Sequence, residues 1–307
     1  MNDLVLSVAV ITYNQENTIS KTLDSILAQE HTYPYEILVG DDCSVDGTKS
    51  ILEDYAARYP KIVKAIYNKA NMGIVGNYYN IITKCSGKYI MECAGDDWWL
   101  PGKIKKQIEY MEEHDDVGLC YGNALCYNTE NECLNIYKGE EGGSFEDVLD
   151  RNPIPAVTVC FRLELMQQYI REIKPITRDW QMEDYPTWLW FYKNSKVEYL
   201  PTPLACYKYS NESVSNTKNI EKLISFLQST YDIRSFFAEK YGAKSKKSDD
   251  DDWLQYLMFC QLLNSYDRDK AKKMRKVLSK KRTLKNIVKS IIISNGLFAK
   301  IAKIFLK

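Results

Sequence analysis

Hydrophobic positions along the first hundred residues switch repeatedly between two spacings. Residues 4–12 form an unbroken apolar, β-branched run, the pattern of a strand buried on both faces of a parallel sheet. Residues 17–29 follow with Ile19, Leu23, Ile26 and Leu27 at helical spacing. The switch recurs three times: a strand at 35–40 and a helix opened by Asp46-Gly47-Thr48 and reaching about Tyr59, a strand at 62–67 and a helix at 76–85, then a strand at 88–93. This β-α-β-α-β-α-β order predicts an α/β fold, with a mostly parallel sheet flanked by helices. In such sheets ligands bind at the carboxyl ends of the strands. That rule selects four loops, 12–16, 41–48, 68–77 and 94–101.

Beyond Pro101 the pattern predicts a helix to about His114 and a strand at 117–127. A polar loop or short hairpin fills 128–143, and a short helix 144–150. A strand at 156–161, helices at 162–170 and 183–193, and strands at 197–200 and 204–209 complete the mixed region. From about Asn219 the pattern is helical only, interrupted by the charged hinge KSKKSDDDD at 244–252. The chain therefore divides into 1–218, with halves 1–127 and 128–218, and a helical region 219–307.

Composition narrows the classes. A chain of 307 residues with 45% hydrophobic and 27% charged residues is globular, not disordered or fibrous. Nine cysteines, without a CxxC, read as buried reduced thiols of a cytosolic protein. The two histidines, His31 and His114, lie away from any cysteine cluster, so no zinc site is expected. No signal peptide and no apolar stretch of about 20 residues is present.

The four selected loops are rich in carboxylates, amides and glycine: Thr12-Tyr13-Asn14, DDCSVDGT at 41–48, Asn71-Met72-Gly73 with Asn77, and AGDDWWLP at 94–101. Acids at strand ends suit hydrogen bonding to a base or ribose, or holding a hard divalent cation against a diphosphate. No GxGxxG or GxxxxGK[ST] cradle occurs, which argues against dehydrogenase and P-loop NTPase readings. The same residues have structural alternatives. Asp42 and Asp46 can cap the helix near Thr48, Asn71 and Gly73 can form only a turn, and Trp98 and Trp99 can be core or rim contacts.

In order and spacing, VITYNQENTI, VGDDCSVDGT, NMGIVGN and GKYIMECAGDDWWLPGKIKKQ resemble the family 2 glycosyltransferases of GT-A fold, over about residues 5–215. The resemblance implies inverting transfer of a sugar from a nucleoside-diphosphate donor, UDP-linked by family habit, to a glycan or lipid-linked acceptor in surface polysaccharide synthesis. It implies that Thr12, Tyr13, Asn14, Asp42, Asn71 and Asn77 bind the nucleotide. Asp96 would meet ribose or the metal, and Asp97 the divalent cation, Mn²⁺ or Mg²⁺. In WQMEDYPTWLW at 180–190, Asp184 matches the catalytic base, with Glu183 as second candidate. Their structural alternative is favourable charge at a helix N-terminus. Ala94 stands where many relatives have an acid, and Ser210 where they often have histidine. These departures keep open a non-catalytic sugar-nucleotide binding module. A nucleotidyltransferase is the other rival, although TYNQEN is not the basic glycine-rich loop it would need. Lys208 can assist the diphosphate.

The overall charge of zero conceals an asymmetry. Residues 266–307 hold fourteen Lys or Arg and two Asp, a net of +12, which leaves −12 for residues 1–265. On a helix over 285–307, Lys285, Lys289, Lys300, Lys303 and Lys307 fall within about 60°, with an apolar face opposite. That pattern predicts an interfacial helix on an anionic membrane, at the inner face of the cell membrane; packing against protein is the alternative. No nucleic-acid partner is expected, because no aromatic stacking platform accompanies the basic residues.

Overall fold

The computed structural model describes residues 4–128, 132–209 and 220–244. The basic tail at 266–307 and Ser210 lie outside the described residues. The chain divides into two units, one of residues 1–210 with 236–244 and one of 211–235 with 245–307.

The first unit opens with β1 (Leu6–Thr12), α1 (Ile19–Leu27), β2 (Tyr35–Asp41), α2 (Thr48–Arg58), β3 (Val63–Tyr67), α3 (Gly73–Ile82) and β4 (Tyr89–Ala94). Its strands pair in parallel in the order β3-β2-β1-β4. Their carboxyl ends stand level: Thr12 is opposite Asp41, Asp41 opposite Tyr67, and Ile11 opposite Ala94. Leu6, Val8 and Val10 of β1 pack with Ile37, Val39, Tyr89 and Met91 and with the α1 residues Ile19, Leu23 and Ile26 in one core. Removing those side chains from water is the main force closing the sheet on its helices.

The unit continues through β5 (Trp98–Trp99), α4 (Lys103–Glu113), β6 (Val117–Tyr127), β7 (Cys133–Lys138), α5 (Phe145–Asp150), β8 (Cys160–Arg162), α6 (Leu163–Ile173), α7 (Asp184–Asn194) and β9 (Lys196–Lys208). The sheet extends as β4-β8-β6-β9-β5, with β7 paired to β6. β8 is antiparallel to both β4 and β6, and β6 is parallel to β9. β6 and β9 therefore run with β4 and end, at Tyr127 and Lys208, on the edge where β1, β2 and β4 end. Helix α8 (Ile220–Tyr241) spans the two units. Its last turn belongs to the first unit, where Phe236 and Phe237 meet Trp180 with ring centroids at 5.6 and 6.1 Å.

Four local expectations change. The 94–101 loop contains β5, because Trp98 and Trp99 pair with Cys206 and Ala205 of β9. The two strands expected at 197–209 form one strand, β9, whose irregularities fall at register shifts opposite Val117 to Leu119 and Gly122 to Ala124. The strand expected at 156–161 is a 3₁₀ turn at Ala156–Thr158 followed by β8, since Thr158 turns its N–H and its hydroxyl onto the Pro155 carbonyl. The helix expected from Gly76 starts at Gly73. Of the eight cysteines among the described residues, six are buried, while Cys43 is half-buried and Cys133 exposed.

One face of α1 is polar and grips the segment after β4. Thr18 Oγ1 donates to the Gly95 carbonyl (2.8 Å) and Thr22 Oγ1 to the Asp97 carbonyl (2.7 Å). Trp99 N–H donates to Ser25 Oγ (3.0 Å), and Gln29 Nε2 donates to the Leu100 carbonyl (2.9 Å). Residues 18, 22, 25 and 29 lie on one helical stripe, so a single rigid helix fixes the whole acidic loop. Thr22 is fully buried. Thr22→Val keeps the shape, removes the hydroxyl and leaves the Asp97 carbonyl unpaired; we expect a loss of about 1–3 kcal/mol in urea unfolding. An unchanged midpoint would show that this bond contributes nothing net.

Candidate active site

The first two loops are laced together. Val45 N–H donates to Asn14 Oδ1 (2.9 Å), Asn14 N–H to Ser44 Oγ (2.9 Å), and Gln15 N–H to Thr48 Oγ1 (2.8 Å). Asp46 Oδ2 accepts from Glu16 N–H (3.1 Å), and Glu16 Oε2 accepts from Gly47 N–H (2.6 Å). Asp46 Oδ1 also accepts from Thr48 N–H, so this aspartate serves the start of α2. Asn14 and Cys43 take left-handed backbone conformations at φ +52° and +66°. Such strain in non-glycine residues persists only where the surroundings impose it. Tyr13 remains 47% exposed beside these loops, with its ring available to a ligand.

Asp42 is held by the third loop. Its Oδ1 accepts from Met72 N–H (2.8 Å) and Asn68 Nδ2 (2.9 Å), and its Oδ2 from Gly73 N–H (2.8 Å). It thus caps α3, where the alternative in the sequence was α2. Asn71 Nδ2 donates to the Asp42 carbonyl (3.2 Å). Asn77 is buried, donates to the Gly40 carbonyl (2.8 Å), and accepts from Asn68 (3.0 Å). Asn71 and Asn77 therefore brace Asp42 and its partner Asn68.

Asp96 and Asp97 stand at the end of β4. Thr12 Oγ1 donates to Gln15 Oε1 (2.7 Å), and the same Gln15 side chain hydrogen-bonds Asp96. A Cβ at Gly95 would displace the Gln15 and Thr12 side chains that bond each other there. Asp97 is 5% exposed, and its Oδ1 accepts from the backbone N–H of Lys208 (2.8 Å). Burial pushes both carboxyls above their usual range, and the charge of Asp96 adds to the effect at Asp97. Among the described residues no set of three His, Cys, Asp or Glu forms a metal cluster. Two desolvated carboxylates side by side nevertheless have the oxygen-donor chemistry that would fit a hard divalent cation.

Glu183 and Asp184 open α7. Asp184 Oδ2 accepts from Asn152 Nδ2 (3.2 Å) and its Oδ1 from Tyr185 N–H (2.6 Å). Tyr185 Oη donates to the Leu149 carbonyl (2.6 Å) and so ties this helix start to α5. Burial, and then the charge of Asp184, pushes the Glu183 carboxyl up to about 8, whereas the rise at Asp184 is opposed by its two hydrogen bonds. A third acid, Glu92 of β4, is hydrogen-bonded by Tyr78; burial, and then the charges of Glu183 and Asp184, push its carboxyl well above the usual range. Tyr207 connects the two acidic groups: burial raises its hydroxyl pKa, and it feels the charges of Asp97, Asp96 and Asp184.

Thr12, Asp42, Asp96 and Asp97 thus meet at the ends of β1, β2 and β4, where Asp42 N–H donates to the Thr12 carbonyl (2.9 Å), and Tyr207 has Asp97, Asp96 and Asp184 as charged neighbours. Sequence reasoning missed Gln15, Asn68, Asn152 and Tyr207. Gln15 adjoins the Thr12-Tyr13-Asn14 run, and Asn152 precedes Pro153 in a turn, so each carried a weak local signal. Tyr207 had none beyond its place in YKYSNESVS.

The glycosyl transferase family 2 model matches residues 7–172. An Escherichia coli protein, the UDP-Glc:alpha-D-GlcNAc-diphosphoundecaprenol beta-1,3-glucosyltransferase WfgD, is 27% identical over 242 residues, 78% of this chain and 88% of that one. Uncharacterised Mycobacterium tuberculosis relatives are 37% identical over 117 residues, and the chain spans about a third (34%) of their length. In fold, Staphylococcus aureus TarS 1–349 in complex with UDP-GlcNAc superposes with a TM-score of 0.59 at 18% identity, over 94% of this chain and 79% of that one. The mannosyltransferase PcManGT of Pyrobaculum calidifontis, in complex with GDP-Man and Mn²⁺, gives 0.56 at 14% identity, over 98% and 87%. A GT-A fold with acidic loops at its strand ends, and a family match over more than half its length, establish that the chain belongs to glycosyl transferase family 2.

Proposed function

We propose that the protein is an inverting glycosyltransferase that moves a sugar from a nucleoside-diphosphate donor, UDP-linked, to a hydroxyl of a glycan or lipid-linked acceptor in surface polysaccharide synthesis. The observation that carries this reading is two held acidic groups: Asp96–Asp97 at the end of β4, gripped by α1 and by the Lys208 N–H, and Asp184 at the start of α7, held by Asn152. One acidic group suits the leaving diphosphate and the other suits the attacking hydroxyl. The domain of residues 1–218 carries the chemistry, its first half taking the donor and its second the acceptor.

In this reading Tyr13 and Asp42 meet the base, and Thr12 and Asp96 the ribose side. Asn14, Asn71 and Asn77 hold the loops that shape the site. Asp97, with Asp96, would hold Mn²⁺ or Mg²⁺, which supplies Lewis-acid stabilisation of the diphosphate. Asp184 takes the proton of the acceptor hydroxyl as its oxygen attacks the anomeric carbon. The bond to the diphosphate oxygen breaks in the same step, its electron pair leaves with the diphosphate, and the configuration inverts. Asn152 keeps Asp184 oriented, and Glu183 retains its proton near neutral pH. The region 219–307, through its basic tail, would bring the enzyme to an anionic membrane surface where a lipid-linked acceptor resides. No helix among the described residues is long and apolar enough to cross a membrane.

Asp184→Asn should lower turnover by about 10²–10⁴-fold while leaving donor binding intact, since it removes only the proton acceptor. Turnover equal to that of the native protein would exclude Asp184 as base. Full-length protein should sediment with phosphatidylglycerol vesicles and not with phosphatidylcholine vesicles, and salt should release it. Equal sedimentation with both would remove the electrostatic tail reading.

Glu183 gives a pH signature with a definite sign. Its ordinary value is 4.5 and its folded value about 8. Below pH 4.5 the carboxyl is protonated in folded and unfolded chains alike and costs nothing. Between these values the unfolded chain ionises and the folded chain resists, so stability is lost as pH rises through the window. Glu183→Gln is neutral throughout. Its melting temperature should therefore gain on the native protein by roughly 2–4 °C or more between about pH 5 and about pH 9. A difference independent of pH would show that Glu183 ionises normally.

A further inference from the structure

Lys138 is the last residue of β7 and stands opposite Ala124 of β6, which in turn faces Ala205 of β9. Two positions along the same row, Cys126 of β6 pairs with Tyr207 of β9. In β-strands residues two apart share a face, so Lys138, Ala124, Cys126 and Tyr207 look onto one side of the sheet. The small side chains of Ala124 and Ala205 leave the lysine stem a path along that face. Its ammonium ends 3.8 Å from the centroid of the Tyr207 ring and 5.7 Å from that of Tyr209. It is close enough to Asp97 for the two charges to interact, yet among the described residues no carboxylate pairs with it within 4.0 Å. Lysine ammonium is strongly hydrated, and half-burying it on an aromatic face without a direct counter-ion costs free energy unless an anion completes the site.

The anion that the proposed reaction brings to Asp96 and Asp97 is the donor diphosphate. Asp96 and Asp97 contribute −2, and Lys138 beside Asp97 with Lys208 beside Asp96 contribute +2. A donor diphosphate brings about −2, which a divalent cation offsets, so the loaded site is again near neutral. As the anomeric bond breaks, the diphosphate keeps the electron pair and gains a further negative charge. A fixed ammonium at the edge of the acid pair stabilises that charge more than it stabilises the bound donor. Ala94 supplies no third acid to hold the cation more tightly, which leaves a larger share of the diphosphate charge to side-chain cations.

Resting on the transferase reading above, we infer that Lys138 is a diphosphate-binding residue: its ammonium, seated on Tyr207, contacts the phosphate next to the transferred sugar. The rival is a packing role, in which the lysine only covers the Tyr207 ring.

The test compares nucleotides that differ by one phosphate. Isothermal titration with Mn²⁺ present measures UMP and UDP, with GMP and GDP in parallel, on the native protein and on Lys138→Met, Lys138→Gln and Lys138→Arg. The inference expects Lys138→Met to lose about 10- to 100-fold in affinity for the diphosphate, the range of one charge-assisted bond, and less than twofold for the monophosphate. Lys138→Arg should restore most of the loss. Lys138→Gln serves the same comparison should the methionine variant fail to fold, as judged by its melting curve. A diphosphate-to-monophosphate ratio unchanged in the neutral variants would overturn the role of Lys138 and leave the transferase reading standing. A native protein that binds neither nucleoside diphosphate would overturn that reading and this inference with it.

Discussion

The polar face of α1 holds the segment that carries Asp96 and Asp97, and the rest of the site is built outward from that grip. Two threonines, a serine and a glutamine bond the backbone of residues 95–100, so the acidic loop cannot drift relative to β1. From there Gln15 reaches Asp96, and the Lys208 backbone N–H reaches Asp97. The second contact joins the end of β4 to the end of β9, which are far apart in sequence and adjacent in space. A buried carboxylate without fixed donors would neutralise itself or pull in water. Here one donor is the Lys208 main-chain N–H and the other is Gln15, itself held by Thr12, so both are in place before any ligand arrives.

Acidic side chains play opposite roles at the two ends of the sheet. At the amino end, burial alone would raise the Glu36 pKa, but Lys64, Ser7 and Ser86 hydrogen-bond it and bring it below its ordinary value. At the carboxyl end Asp96, Asp97, Glu183 and Glu92 are all pushed up, because burial outweighs the partners available. The first arrangement stabilises the fold. The second leaves electrostatic demand unmet, which is how functional sites commonly differ from structural ion pairs. Lys138 on Tyr207 is the cationic counterpart of that demand.

The strands β1 to β4 and their helices were legible because each buried element repeats its own period, and a parallel strand buried on both faces reads as a continuous apolar run. The later strands were less so. β5 has two residues, β8 has three, and neither has a pattern long enough to reveal a period. Among candidate site residues, those in motif runs were legible in the sequence, but the partners that hold them were not. Thr22 is the clearest case: it reads as an ordinary polar position in an amphipathic helix, and it is fully buried against Asp97.

By itself the sequence determined the α/β order, the four loops at the strand ends and the identity of the acids on them, because periodicity and turn chemistry are local properties of the chain. It also determined the concentration of positive charge in the last forty residues, which is a matter of counting. The tertiary structure decided what each acid faces. It turned Asp42 onto the start of α3, set Asn152 against Asp184, and brought Lys138 across two strands to the Tyr207 ring beside Asp97. Those contacts join residues roughly 30 to 70 positions apart, for which strand register, side-chain reach and desolvation act only once the sheet has closed.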